Sequence, residues 1–289
     1  MSAQILDGRT ISRSIIREIA ADVETFRQTH GHPPAIGVVQ VGDDPASAWY
    51  VGQIRKSFER VGMGFGLHAL PSDAAPDDLA ALLRGLNADT GTHGIIVQMP
   101  LPAHIPASLV TDLLDPRKDV DGVHPVNAGR LMQAEGDYFV PATPAGGMEL
   151  LHRYGLSLAG RRAVMVGRSN IVGRPMALLM LHAHATVTIC HSRTRDLAAI
   201  TREAEILAVA IGRPAFITAD MIRPGAVVLD FGVNVVDDKL VGDVDTEAAM
   251  EVAGAITPVP GGTGPMTNVM LIKNTLAAAQ RQMGPARRD

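Results

Sequence analysis

Residues 160–175 constrain the fold more than any other part of the chain. A short apolar run rich in β-branched residues, 162–166, leads into a turn marked by Gly167 and Gly173, and a helix is predicted over 175–181. A strand, a glycine turn and a helix N-terminus in this order direct backbone N–H groups at a pyrophosphate. We therefore predict a nucleotide-cofactor site. An ordinary strand-to-helix turn is the alternative, because the two glycines are six positions apart and do not match GxGxxG.

The composition excludes several classes of protein. Of 289 residues 46% are hydrophobic but only 3% are aromatic, so the core must consist of aliphatic side chains, as buried parallel sheets usually do. The formal net charge of -4 provides no general attraction to nucleic acid or anionic membranes. A single cysteine, Cys190, forbids an internal disulfide and fits a reducing compartment. Without a signal peptide or membrane-length apolar run, we expect a cytoplasmic protein that binds small molecules, with no metal site.

Helical and strand patterns alternate along most of the chain, which predicts parallel sheets with helices on their faces. Two prolines and small residues at 141–144 are typical of a linker, and we place the domain change there. The alternation that follows predicts one nucleotide-binding sheet. A long helix is predicted from Met266, and residues 284–289 are expected to form a frayed tail.

Two features of the first domain are candidates for a binding site. Ligands of parallel sheets bind beyond the carboxyl ends of the strands, where Gln98 follows a predicted strand over 94–98. Residues 115–127 form a polar loop dense in acids. Such a loop is either a solvated connection or part of a site, and composition alone favours the solvated connection.

The residues after the second strand of the nucleotide-binding sheet distinguish the two nicotinamide cofactors. NAD sites present an acid there to the ribose 2′-hydroxyl. Residues 190–195 contain no carboxylate but include Arg193 and Arg195, and Arg168 lies in the glycine turn itself. Arginines suit a 2′-phosphate, so we predict NADP. Alternatively, Arg193 and Arg195 merely lie at the start of a helix.

Several ordered stretches, spread over nearly the whole chain, match the motifs of one known family. They are residues 47–51, 97–102, 118–122, 124–127, 167–175, 230–234, 242–245, 258–262 and 264–267. Together they resemble methylenetetrahydrofolate dehydrogenase/cyclohydrolase, an enzyme of one-carbon metabolism. The resemblance implies two α/β domains with a cleft between them and a homodimer. Residues 1–141, completed by a C-terminal helix over 266–283, would bind tetrahydrofolate derivatives, and residues 142–265 would be a Rossmann-type NADP domain.

The resemblance also implies the reaction and its residues. 5,10-Methylenetetrahydrofolate would be oxidised to the methenyl form with NADP, and then hydrolysed to 10-formyltetrahydrofolate. Tyr50 would lie along the folate ring, Gln98 beside the reacting carbon, and Asp121 would accept hydrogen bonds from the pterin, with further substrate contacts from Pro260, Gly261 and Gly262. Cofactor contacts would come from Gly167, Arg168, Ser169, Ile171, Gly173, Ser192, Arg193 and Val233.

The chain departs from the family at the catalytic lysine, four residues after the tyrosine, where it has Ile54. Arg55 and Lys56 are rotated away from the helix face that Tyr50 shares with Ile54. Hydride transfer depends mainly on positioning, whereas hydrolysis needs water activation. We therefore expect a dehydrogenase with weak or absent cyclohydrolase activity. The alternatives are an ordinary bifunctional enzyme, with Lys56 or another group substituting, and a non-catalytic folate-binding or regulatory protein.

Two smaller departures are Thr263, where the family usually has valine, and Ala142, where cysteine is common. Both are expected near the cleft, so the substrate preference among folates stays open.

Overall fold

The computed structural model describes residues 2–284, and the side chain of Ala46 is not described. Residues 285–289, most of the expected frayed tail, lie outside the described residues. The chain divides into two compact units. The six-stranded unit contains the residues up to Arg13 together with Pro141–Thr267, and the three-stranded unit contains Ser14–Val140 together with the residues from Asn268 onward.

The six-stranded unit is a fully parallel sheet in the order β1-β11-β8-β7-β5-β6. Its strands are rich in valine, isoleucine and alanine, and apolar clusters of the core include residues of both of its faces. The strands are β1 (Gln4–Ile5), β5 (Arg162–Val166), β6 (Thr186–Cys190), β7 (Ile206–Val209), β8 (Val227–Asp230) and β11 (Ala255–Ile256). The helices are α6 (Ala142–Arg153), α7 (Gly173–His182), α8 (Leu197–Thr201) and α9 (Thr246–Ala249), with a 3-10 turn at Ala219–Met221.

The three-stranded unit is a parallel sheet in the order β3-β2-β4. Its central strand is apolar almost throughout and is buried from Ile36 to Val41. Its strands are β2 (Ala35–Val41), β3 (Gly64–Leu70) and β4 (Gly94–Val97), and its helices are α2 (Pro45–Arg60), α3 (Pro76–Ala88), α4 (Ser108–Leu113) and α5 (Pro125–Gln133). Helix α1 (Gly8–His30) belongs to this unit from Ser14, and α10 (Thr263–Met283) from Asn268.

The predicted fold class, two α/β domains of which the second is Rossmann-type, is confirmed for each unit taken by itself. The N-terminal segment differs from the expected first domain, which began at residue 1. Strand β1 pairs with β11, and Leu6 is fully buried in the apolar cluster that contains Ala255 and Leu229. Residues up to Arg13 therefore pack with the six-stranded unit. None of the described helices is both long and apolar enough to cross a membrane.

Two local features differ from the sequence patterns. Helix α7 begins at Gly173, two residues before the proline that was expected to open it. An unpredicted antiparallel hairpin joins β9 (Asn234–Val236) to β10 (Lys239–Val241). Its two connecting residues, Asp237 and Asp238, have φ of 49° and 61°. A two-residue hairpin turn of type I′ has positive φ at both positions, which aspartate tolerates better than most residues.

Candidate active and cofactor sites

The loops at the carboxyl ends of β5, β6 and β8 carry the predicted cofactor residues. Strand β5 lies between β6 and β7, and the chain turns from one side of β5 to the other after β6. Such a reversal of strand order is where doubly wound sheets bind ligands. Because all paired strands of this sheet are parallel, these loops lie at the same edge. The predicted cofactor residues therefore lie on loops at one edge of this sheet, and their role in binding stays a prediction.

The turn after β5 leaves room for backbone only. Gly167 has a φ of 130°, and a Cβ there would overlap the carbonyl oxygen of Ala210. A Cβ on Gly173 would overlap the carbonyl group of Gly167. The Ser169 hydroxyl accepts hydrogen bonds of 3.2 Å from the N–H groups of Val172 and Gly173, which fixes the turn at the start of α7. Because neither glycine carries a side chain, the backbone N–H groups at the start of α7 are arranged as in sites that bind a pyrophosphate group.

Side chains around this turn project into solvent. Arg168, Ser169, Ile171, Ser192, Arg193 and Val233 are all exposed. The turn that carries Ser192 and Arg193 is held by the His191 N–H, which donates 2.8 Å to the Thr194 hydroxyl. The two exposed guanidinium groups therefore lie on ordered loops that follow adjacent strands, which suits a phosphorylated ribose.

In the three-stranded unit, helix α2 carries Tyr50 and Ile54. Asp44 caps the helix by accepting a 2.8 Å hydrogen bond from the Ser47 N–H. Tyr50 is half-buried, whereas Ile54 has no exposed surface and continues a buried stripe that includes Val51 and Phe58. The hydrocarbon side chain of Ile54 therefore lies on the buried face of the helix, one turn from the tyrosine.

Tyr50 and Asp121 are brought together by the fold. Burial raises the pKa of Tyr50 above its ordinary value, and the negative charge of Asp121 raises that pKa further. Burial also raises the pKa of Asp121 to about 7, with an added contribution from the charge of Asp119. A carboxyl group beside an aromatic ring and poised near neutrality can exchange between accepting and donating hydrogen bonds.

The loop that carries Asp121 is organised by Asp119. Asp119 is fully buried, and its carboxylate accepts hydrogen bonds from the N–H groups of Val123 (3.2 Å) and His124 (2.7 Å) and from the Asn127 amide (2.8 Å). The solvated alternative is therefore wrong for this part of the loop. Of the two acids in the Asp-Val-Asp motif, the first orders the loop, whereas the carboxyl group of the second, Asp121, accepts no hydrogen bond from the described residues.

Gln98 directly follows β4. Its N–H donates 2.8 Å to the Val39 carbonyl, so it continues the β2–β4 pairing by one residue, and its side chain is largely buried. The residue thus lies at the carboxyl end of the sheet, where the sequence predicted it.

Of three cationic side chains close in sequence to Ile54 or Asp121, two make contacts with other elements and the third is exposed. The Arg55 guanidinium lies 5.0 Å from the centre of the Phe65 ring, and Lys56 is exposed. The Lys118 ammonium is buried and donates to the carbonyl oxygens of Leu86 (2.9 Å) and Asp89 (2.6 Å). Their contacts therefore tie Arg55 and Lys118 to β3 and to the end of α3.

The predicted substrate residues Pro260, Gly261 and Gly262 belong to the six-stranded unit. Pro260 is exposed, whereas Gly261 and Gly262 are buried. A Cβ on Gly262 would overlap the side chain of Thr257, so the loop needs glycine there. The Thr263 hydroxyl donates a 2.8 Å hydrogen bond to the Asp230 carbonyl, which directs the threonine side chain toward the sheet.

Sequence reasoning missed two fully buried carboxylates, Asp230 and Asp243. Burial raises the pKa of Asp230 to about 6, although three backbone N–H groups oppose that shift. The sequence signal for their burial is the pair of glycines Gly232 and Gly242. Each glycine lies so close to one of these carboxylates that a Cβ would not fit.

Comparison with known proteins identifies the family. The catalytic-domain model of tetrahydrofolate dehydrogenase/cyclohydrolase matches residues 6–121, and the NAD(P)-binding domain model of the same family matches residues 141–283. The chain belongs to the tetrahydrofolate dehydrogenase/cyclohydrolase family. The predicted resemblance and the nicotinamide cofactor are thereby confirmed.

Relatives of this family cover almost the whole chain. The protein named bifunctional protein FolD from Chloroflexus aurantiacus is 53% identical over 285 residues, covering 98% of this chain and 100% of the relative. The crystal structure of FolD from Campylobacter jejuni has a TM-score of 0.95 at 41% identity, covering 97% and 99% of the two chains. The Trypanosoma brucei enzyme, solved with NADP and an inhibitor, has a TM-score of 0.95 at 35% identity, covering 99% and 100%.

Proposed function

We propose that this family member is an NADP-dependent methylenetetrahydrofolate dehydrogenase of the cytoplasm, in which cyclohydrolase activity is weak or absent. It oxidises 5,10-methylenetetrahydrofolate to 5,10-methenyltetrahydrofolate. The observation that carries the proposal is the complete burial of Ile54, a hydrocarbon side chain, on helix α2. Following the family resemblance, we propose that Ile54 occupies the position of the family's catalytic lysine. From the same resemblance, we also propose that the chain forms a homodimer. Sedimentation analysis of the purified chain tests this proposal.

The oxidation depends on holding the folate. The Tyr50 ring offers an aromatic wall for a flat heterocycle, and ionised Asp121 accepts hydrogen bonds from buried N–H groups of the pterin. Without such an acceptor each buried N–H costs about 1–3 kcal/mol. Gln98 positions the one-carbon unit, and NADP, when bound, supplies the hydride acceptor. None of these roles requires a lysine.

Hydrolysis of the methenyl product makes a further demand. Water has to be activated and protons have to be moved, which a glutamine amide and a hydrocarbon cannot do. The positions of Arg55 and Lys118 support the proposal, because each cation is occupied by a contact elsewhere in the unit. Lys56 is exposed and does not share the Tyr50 face of the helix.

The loss of the lysine also changes the balance between substrate and product. The methenyl product is a cation, and two like charges 4 Å apart repel by about 4 kcal/mol at an effective dielectric constant of about 20. An isoleucine removes that repulsion. We therefore propose that Ile54 favours bound methenyl over bound methylene folate.

We assign the 2′-phosphate of NADP to Arg168 and Arg193. Both are exposed on ordered loops after β5 and β6, and the predicted acid of an NAD site is absent from residues 190–195. The glycine turn at Gly167 would hold the pyrophosphate through backbone N–H groups.

An absorbance time course tests the proposal. Purified chain is mixed with methylenetetrahydrofolate and NADP, and methenyl absorbance is expected to accumulate and then to decay at its spontaneous rate. The Campylobacter jejuni enzyme, named as a dehydrogenase/cyclohydrolase, is the positive control for faster decay. Enzymatic decay by the present chain would establish the bifunctional activity that the names of the relatives favour. No absorbance change at all would leave a non-catalytic folate-binding protein.

A further inference from the structure

The carboxylate of Asp243 binds three successive backbone N–H groups in the loop after β7. One oxygen accepts from Ile211 (2.6 Å) and Gly212 (2.9 Å), and the other accepts from Arg213 (2.8 Å). Asp243 has no exposed surface. Because hydrogen bonds to an ionised acceptor are stronger than neutral ones, this carboxylate fixes the backbone of the loop tightly.

A second carboxylate, Asp230, holds the segment that carries Asp243. Its oxygens accept from the N–H groups of Gly232 (2.8 Å), Asp243 (3.1 Å) and Val244 (2.9 Å). A Cβ on Gly232 would overlap the Asp243 carboxyl group, and one on Gly242 would overlap that of Asp230. Glycines at both contacts indicate that the two carboxylates require this close fit.

The loop that Asp243 binds follows Ala210, which packs against the glycine turn at Gly167. Ala210 precedes Ile211, its N–H donates 2.8 Å to the Val166 carbonyl, and its own carbonyl fills the space where Gly167 lacks a Cβ. Any shift of residues 211–213 therefore moves the surface on which the Gly167 turn rests.

Asp243 also contacts Asn234, the first residue of β9, which directly follows the loop after β8. The Asn234 side chain donates 3.0 Å to the Asp243 carboxylate and 3.2 Å to the Val241 carbonyl. Asn234 directly follows Val233, an exposed residue among the predicted cofactor contacts. One buried carboxylate thus touches the loops after two neighbouring strands of the sheet edge.

We propose that Asp243 is a positioning residue for the NADP site, which it holds in its binding geometry before the cofactor arrives. The inference rests on the proposed cofactor site at Gly167. Asp243 does not itself contact the cofactor in this assignment. It acts through the backbone of residues 210–213 and through Asn234.

Asp243→Asn separates positioning from bulk packing, because the amide has nearly the same shape but only one oxygen. Its NH2 group would face either Ile211 and Gly212 or Arg213 and Asn234, and all of these are donors. In both orientations the loop must move. Asp245→Asn is the matched control, since it changes an aspartate of the same unit that only caps α9 through the Ala248 N–H.

Calorimetric titration with NADP measures the effect without catalysis. We expect Asp243→Asn to raise the Kd for NADP at least about ten-fold, which corresponds to about 1.4 kcal/mol, while Asp245→Asn changes it less than about two-fold. Folate KM should stay within about two-fold of wild type in both variants. Equal NADP affinity in folded Asp243→Asn and wild type would overturn the inference and leave a purely structural role.

Hydrogen exchange of the wild-type chain tests the same inference if the variant does not fold. Without cofactor, the amides of residues 211–213 should be protected as strongly as those of β7. Rapid exchange that slows only when NADP is added would contradict positioning by Asp243. Failure of the wild type to bind NADP would instead refute the proposed cofactor site, and the inference with it.

Discussion

Ile54 lies one turn of helix α2 after Tyr50, and its side chain is fully buried while the tyrosine is half-buried. Residues four apart on a helix are neighbours on one face. The space next to the tyrosine on that face is therefore filled by a hydrocarbon, and within the described residues the neighbouring Arg55 is directed at Phe65.

The first prediction is that a lysine at position 54 gives the chain enzymatic hydrolysis of the methenyl product. In Ile54→Lys, burial lowers the pKa of the new amine, which then acts as a proton acceptor for water. Because general acid–base catalysis contributes about 10²–10⁴-fold, we expect the enzymatic rate of methenyl decay to rise at least about a hundred-fold. At a pH low enough to protonate the new amine, its charge repels the methenyl cation, and single-turnover absorbance should then show a smaller fraction of bound methenyl folate than in wild type.

Two control variants accompany this substitution. Ile54→Met keeps the site apolar and should leave methenyl decay at the spontaneous rate. Lys56→Met removes the nearest lysine in sequence and should change nothing. If wild-type hydrolysis is enzymatic and disappears in Lys56→Met, then Lys56 is the substituting group and the proposed loss of cyclohydrolase activity is wrong.

The second prediction concerns cofactor selectivity. Replacing Arg168 or Arg193 by alanine removes a charge-assisted hydrogen bond to the 2′-phosphate, so each change should raise the KM for NADP about ten-fold or more. The KM for NAD should change less than about two-fold, because NAD lacks that phosphate. Arg202→Ala, an exposed arginine at the end of α8, serves as the control. Equal effects on the two cofactors would exclude the assignment.

The third prediction is a pH dependence that belongs to Asp121, whose pKa is raised to about 7. Only the ionised carboxylate accepts hydrogen bonds at both oxygens, so folate binding weakens as the pH falls through the pKa. Between about pH 8 and pH 6 the ionised fraction drops about ten-fold, and kcat/KM for the folate should follow it. Asp121→Asn should show a lower but flat profile. An unchanged slope in that variant would assign the titration to another group.

The fourth prediction concerns stability at His93. Its ring is fully buried, its Nδ1 accepts 3.1 Å from the Ala35 N–H, and it stacks on His32. Burial, followed by the charges of His32 and Lys118, lowers the pKa of His93 from 6.5 to about 4. The folded state therefore resists protonation of His93. The contribution of the neutral ring to the free energy of unfolding is fully present above pH 6.5 and is lost as the pH falls toward 4.

Urea unfolding of wild type and His93→Asn measures this contribution. The asparagine oxygen can replace Nδ1 as the acceptor for Ala35, but it does not titrate. From about pH 7.5 to pH 5 the wild type should lose about 2 kcal/mol more of its unfolding free energy than the variant. Parallel losses in the two proteins would show that folding does not lower the pKa of His93.

The alternation of elements and the glycine turn were predictable because they depend on local pattern. The partner of β1 was not predictable, since two residues carry no periodicity and their pairing with β11 is decided by the burial of Leu6. The hairpin after β8 was missed for a related reason. Its turn consists of Asp237 and Asp238, whose positive φ is tolerated rather than demanded by aspartate.

The candidate sites were predictable only in part. Tyr50, Gln98 and Asp121 were identified by family resemblance, and their roles are still predictions. Composition could not tell Asp119 from Asp121, because only the fold shows which of the two carboxyl groups accepts hydrogen bonds from the backbone N–H groups of Val123 and His124. Asp243 was missed for the same reason, since its partners are backbone N–H groups of residues 211–213, which lie far from it in the sequence.

The missing Cβ of Gly167 limits how cofactor preference can change. A side chain of any size at that position would overlap the Ala210 carbonyl oxygen at the end of the neighbouring strand, so mutation there disrupts the turn that we propose as the pyrophosphate site. Arg168 and Arg193, in contrast, are exposed, so replacing them does not disturb the packing of the turn. Under the proposed assignment of the 2′-phosphate, a change of preference between NADP and NAD therefore proceeds through these outer side chains, while the backbone of the turn stays constant.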